Sequence, residues 1–132
     1  MEIDVSYEKG RVPVTVFYIR GEIDVETADK LQAQARQAIE GGTRHLLLDM
    51  SKVSYLGSYG IRALNDIFSW LQDRSPDTGD MDVSAGIRDG TFKSPYLKLL
   101  KPAEHVSKVL TTTGVDMFLE VHKNLSHAVQ SF

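Results

Sequence analysis

Ser58 lies in the stretch Leu46 to Phe68, LLLDMSKVSYLGSYGIRALNDIF, where an apolar strand runs through a small-residue turn into an amphipathic helix. A hydroxyl at a helix start can accept hydrogen bonds from the first free N–H groups. It can also carry a phosphate, which would then lie at the positive end of the helix dipole. Two carboxylates accompany it in the sequence. Asp24 is expected to end the second strand, and Asp49 to sit at the carboxyl end of the core strand that holds Leu46-Leu47-Leu48. Open α/β sheets place functional groups at the carboxyl ends of their strands, so all three side chains are expected along one edge of the sheet. Each carboxylate also has a plainer role: Asp24 as the N-cap of a first helix, Asp49 bonding its own backbone in a turn. A receiver-type phosphoacceptor role for Asp49 needs an acidic pair for Mg²⁺ after the first strand, where Glu8-Lys9-Gly10 makes a turn instead.

Other chemistries are poorly served. The chain has no cysteine, which excludes disulfides, thiolate catalysis and cysteine metal sites. His45, His105, His122 and His127 are dispersed, with no i, i+4 pair to hold a metal, and no G-x-x-x-x-G-K loop cradles a phosphate. Neither a cofactor nor a metal is expected. A formal charge of -3 and a pI near 5.8, with the lysines and arginines scattered, give no footprint for nucleic acid. The acidic start MEIDVSYEKG is unlike a signal peptide, and no apolar run approaches about 20 residues, so a cytoplasmic protein without membrane contact is expected. At 132 residues and 42% hydrophobic content, the chain suits one domain, a monomer or weak dimer.

The elements that must position Ser58 follow from periodicity. Ile3, Val5 and Tyr7 alternate with polar residues, and Val12 to Ile19 is β-branched and aromatic, which predicts two antiparallel strands around Lys9-Gly10. From Asp24, the residues Ala28, Leu31, Ala35, Ala38 and Ile39 keep helical spacing until Gly41-Gly42. Leu46 to Leu48 reads as a central strand with parallel neighbours, and Ile61, Leu64, Ile67, Phe68 and Leu71 form the stripe of a second helix, from Ser58 to about Asp73 with Trp70 at its margin. Asp73 to Pro95 holds five aspartates, three glycines, three serines and two prolines, a composition of insertions and loops. A small hairpin around Asp89-Gly90, using Met81, Val83, Ala85 and Ile87, is as compatible with it as a mobile loop, and removal of 81–93 is expected to leave a folded domain. Tyr96 to Leu100 is a fourth strand. A helix from Pro102 carries Val106, Val109 and Leu110 to Gly114, Phe118 to Val121 suits an edge strand, and Leu125, Ala128, Val129 and Phe132 space a last short helix. The expected core is Val14, Val16, Leu46, Leu47, Leu48, Leu97 and Leu99.

G-E-I-D at Gly21 to Asp24, T-A-D-K-L at Thr27 to Leu31, LLLDMSKVSYLGSYGIRAL, and L-T-T-T-G-V-D-M-F at Leu110 to Phe118 together resemble the STAS domain of bacterial anti-sigma factor antagonists. That family has a G-E-L-D segment, a strand ending L-D-L-S-x-V, a D-S-S-G or D-S-T-G turn and a late L-x-x-T-G-L segment. The resemblance implies an α/β fold with a mixed four- to five-stranded sheet, about four flanking helices and no catalytic activity. It implies binding to a serine-kinase anti-sigma factor, which frees the sigma factor until the first serine of the turn, Ser58, is phosphorylated. By position, the partner-binding residues are Asp24, Gly57, Ser58, Tyr59, Gly60 and Arg62.

The chain departs from the pattern where it matters for that role. Gly57 replaces the aspartate before the serine and Tyr59 replaces the second hydroxyl residue, so G-S-Y-G stands for D-S-S-G. The loss of one carboxylate and the added aromatic bulk favour an alternative, a scaffold or sensory STAS module that is not phosphorylated and binds a different signalling protein. The long segment after the second helix is also unlike the short turn usual in the family.

Overall fold

The computed structural model describes residues 1–74 and 92–132 of the chain. Its elements are β1 (Glu2–Lys9), β2 (Pro13–Ile23), α1 (Ala28–Glu40), β3 (Leu46–Leu56), α2 (Ser58–Asp73), β4 (Leu97–Leu100), α3 (Glu104–Thr113), a 3-10 turn (Val115–Met117), β5 (Val121–His122) and α4 (Leu125–Ser131). The five strands form one sheet in the order β1-β2-β3-β4-β5, with β1 antiparallel to β2 and all later pairs parallel. This is the mixed α/β sheet expected from the sequence.

Pleating sorts the apolar residues of β3 onto two faces. Leu46, Leu48 and Met50 join the larger cluster with Leu31, Ala35 and Ile39 of α1, Leu64, Ile67 and Leu71 of α2, and Val106 and Leu110 of α3. Leu47 points the other way, to Val14, Val16, Leu100, Ala128 and Val129 under α4. All seven expected core residues are at most 1% exposed.

Two irregularities shape the far half of β3. Between Tyr18 and Arg20 of β2 the partner strand advances from Asp49 to Lys52, and between Gly21 and Glu22 it advances from Val53 to Tyr55. Each is a bulge with one extra residue in β3, which moves the next inward position on by three: Met50, Val53 and Leu56 are buried, and Tyr55 is thrown out to solvent. Asp49 supports the first bulge, its Oδ1 accepting from the Ser51 N–H at 2.9 Å. At the second, His105 Nε2 donates to the Ser54 carbonyl at 2.8 Å and ties β3 to α3.

Several expectations change. The third strand runs to Leu56 rather than ending at Asp49, because backbone pairing with β2 continues past the apolar run, and the second ends at Ile23, next to Asp24, which was expected to end it. Asp49 is therefore a buried mid-strand residue, seven positions before the strand's end. The edge strand is only Val121–His122. The proposed insertion yields at both ends: Asp73 is helical, and Phe92 is buried, packed edge-on against Phe68 with ring centroids 6.0 Å apart. Ser94 is buried too, its Oγ accepting from the N–H groups of Tyr96 and Leu97, both at 3.2 Å. A deletion of 81–93 would remove a core phenylalanine, so it should cost stability even if the rest of the domain folds. The hairpin around Asp89-Gly90 lies outside the described residues.

The smaller face is closed by a polar clasp. Lys98 is 2% exposed, yet its ammonium has all three protons placed, on Glu120 Oε2 at 3.1 Å and on the Ser131 carbonyl and Oγ at 2.9 Å each. The Phe132 ring lies 4.8 Å from the same nitrogen. Gly10 completes the docking, since a Cβ there would stand 2.8 Å from the Val129 carbonyl oxygen. Burial, then the nearby Lys98 charge, holds the His45 imidazole below its ordinary pKa, and the ring lies against Tyr96 and Phe132.

Candidate functional site

Ile23 and Leu56 are paired at the ends of the parallel strands β2 and β3, so the turns leaving them start side by side. The Gly57 N–H donates to the Ile23 carbonyl at 3.1 Å and joins the two turns directly. One turn carries Asp24 and the other Ser58.

The Asp24 turn is a reciprocal cap one turn ahead of the regular helix. Asp24 Oδ1 accepts from the N–H groups of Glu26 at 2.9 Å and Thr27 at 3.0 Å, and Thr27 Oγ1 accepts from the Asp24 N–H at 2.9 Å. The single Thr27 hydroxyl proton goes to the Glu22 carbonyl at 2.6 Å, the shorter of its two contacts. These donors, the Thr27 N–H foremost, hold the Asp24 carboxyl below its usual pKa and keep it anionic. The capping chemistry foreseen for Asp24 is present, although α1 itself begins at Ala28.

Ser58 is not a cap. Gly57, extended at φ -99°, holds the N-cap position of α2 and has no side chain to offer, which makes Ser58 the first helical residue. Its side chain is exposed and its hydroxyl has no hydrogen-bond partner among the described residues. The helix ladder starts with the Ile61 N–H on the Gly57 carbonyl at 3.0 Å, so the N–H groups of Ser58, Tyr59 and Gly60 precede it. Arg62, exposed, lies one helical turn on from Ser58, on the same face.

The glycines act differently. At Gly60 a Cβ would stand 2.5 Å from Leu56 Cδ1, 2.9 Å from Ile23 Cγ2 and 3.1 Å from the Ile23 carbonyl oxygen, so only glycine lets α2 lie against both strand ends. Gly60→Ala should add helix propensity of about 1 kcal/mol but overpack a buried junction by about 1–3 kcal/mol. A lowered urea midpoint is expected, and an unchanged one would show that the two turns are not wedged together. At Gly57 the obstacle is a side chain: a Cβ would stand 2.7 Å from Tyr55 Oη and 2.9 Å from Cε2. The Tyr55 ring thus fills the space into which a side chain at 57 would project.

Asp24, Gly57, Ser58, Tyr59 and Gly60 therefore come together at the two turns, with Arg62 close by on α2, whereas Asp49 stays about 20 Å back along β3 at ordinary strand rise. Sequence reasoning missed Tyr55 and His105, both of which depend on a bulge that no residue pattern announces.

The STAS domain family model matches residues 6–75, more than half of the chain and the whole of both turns. The chain belongs to the STAS domain family. Similar solved structures agree with this fold at low identity. A STAS domain protein from Planctomyces limnophilus, described as an anti-sigma-factor antagonist, is 16% identical with a TM-score of 0.69, over 96% of this chain and 93% of that one. An anti-sigma factor antagonist from Mycobacterium paratuberculosis is 20% identical with a TM-score of 0.68, over 98% and 93%. The phosphorylated form of the Bacillus cell fate determinant SpoIIAA is 16% identical with a TM-score of 0.62, over 97% and 96%. In this STAS domain no helix among the described residues is long and apolar enough to cross a membrane.

Proposed function

We propose that this STAS domain is an anti-sigma factor antagonist: it docks a serine-kinase anti-sigma factor on the Ser58 turn and the first turns of α2, frees the sigma factor, and is switched off by phosphorylation of Ser58. The observation that carries this reading is the Ser58 hydroxyl, exposed and without a hydrogen-bond partner among the described residues, at the first position of α2 beside the Asp24 turn. A partner covering that neutral hydroxyl would have to desolvate a phosphate of about -1.5 to -2 charge with nothing to pair it. The fold should tolerate the same phosphate, because Ser58 is exposed at the first position of α2, the positive end of the helix dipole. Regulation of transcription then follows from protein contact alone, in the cytoplasm and without catalysis by this chain.

The second reading, an unphosphorylated scaffold or sensory module, draws on Gly57, where the Tyr55 ring fills the place of a family carboxylate. Incubation with the purified kinase and ATP, read by intact mass, separates the two. One added phosphate on the wild type and none on Ser58→Ala is the expected result. Ser58→Ala should still bind, and Ser58→Asp should bind at least 30-fold more weakly, about 2 kcal/mol, with an unchanged unfolding transition. Equal binding by all three proteins with no mass gain would establish the scaffold reading instead.

A further inference from the structure

We propose that Val25, Tyr55 and Tyr59 form one uncharged, largely aromatic docking surface around Ser58, and that it selects a protein partner whose facing cleft is apolar and flanked by lysine or arginine on the side of the Asp24 turn. This rests on the reading that the two turns are the contact surface. Among the described residues seven large hydrophobic side chains are exposed, and these three, at 56%, 51% and 52%, fall on the two turns and the strand end between them. Scattered exposed apolar residues are ordinary, but three on one junction are a patch.

Tyr55 is exposed through construction rather than chance. The bulge at Ser54 turns its side chain away from the face that Val53 and Leu56 occupy, the His105 bond to the Ser54 carbonyl fixes the bulge, and the absence of a side chain at Gly57 gives the ring its seat. Neither tyrosine hydroxyl has a partner among the described residues, so both are free to bond a docking protein. Tyrosines offer large, rigid, amphipathic area at small entropic cost and are enriched among residues that carry binding energy. The charge around the patch is divided, with Arg62 on the α2 side and carboxylates on the other. Glu22, Asp24 and Glu26 line the turn before α1, and a basic flank on the partner would complement them.

The test places the photocrosslinker benzoylphenylalanine at position 55, 59 or, as a control on the exposed β1 residue, 7, in the full chain within the cells that make it. Cross-links from 55 and 59 but not from 7, to a peptide with apolar residues beside lysine or arginine, are expected. Tyr55→Ala, Tyr59→Ala and Gly57→Asp, the last displacing the Tyr55 ring, should each weaken binding of that protein at least tenfold. No cross-link from 55 or 59, or a polar or acidic contact peptide, overturns the proposal. If the cross-linked protein has the stated chemistry but is no kinase, the surface stands and the proposed function falls. If a kinase phosphorylates Ser58 without cross-linking at 55 or 59, the reverse holds.

Discussion

Leu47→Ala should lower the unfolding free energy by about 2–5 kcal/mol, read as a shift of the urea midpoint at constant slope. Leu47 is fully buried on the central strand, paired with Val16 on one side and Lys98 on the other. Its side chain meets the smaller cluster, where Val14, Val16, Leu100, Ala128 and Val129 surround it. The removed atoms lose their transfer free energy, and the strands beneath cannot close the cavity because both neighbours fix β3 by hydrogen bonds. Only α4, seven residues long, is free to settle inward. A loss below about 1 kcal/mol would mean that α4 does collapse onto the gap and that this face is a loose cover rather than a core.

Glu120→Ala should cost about 2–3 kcal/mol for a different reason. It leaves the Lys98 ammonium buried with one proton unplaced, and an uncompensated buried charge is far more expensive than the pair was favourable. The value sits below that of a fully enclosed pair because the Glu120 side chain is 36% exposed and water can reach the vacated position. Lys98→Met separates charge from shape: it keeps the volume, removes the desolvation demand and should remain within about 1 kcal/mol of wild type. If both variants lost the same stability, the clasp would act through packing against Phe132 and not through its charge.

The sequence was most readable where burial is strongest. Leu46 to Leu48 and the stripes of α1 and α2 are continuous apolar patterns, and the strands and helices they announce are present. It was least readable where backbone pairing, not burial, extends a strand. Arg20 to Ile23 offers only one apolar side chain, and Ser51 to Leu56 mixes exposed and buried residues without period two, since each bulge in β3 resets the alternation. Phe92 was lost among turn-forming neighbours, although a single ring suffices to fill the space beside Phe68. At the candidate site, the motif located Ser58 and Asp24, but the cap geometry inverted the expectation: an extended glycine took the N-cap and released the serine from structural duty.

Strand order in the sheet repeats strand order along the chain. Each new strand joins the edge left by the one before it, with no strand inserted between two already placed, so the sheet can grow in the direction of synthesis. Both turns of the candidate site belong to the early β2-α1-β3-α2 segment, whereas the Lys98 clasp and α4 are added last. Substitutions in that early segment, Leu47→Ala among them, are accordingly expected to slow refolding, and those at Glu120 or in α4 to hasten unfolding with little effect on the refolding rate.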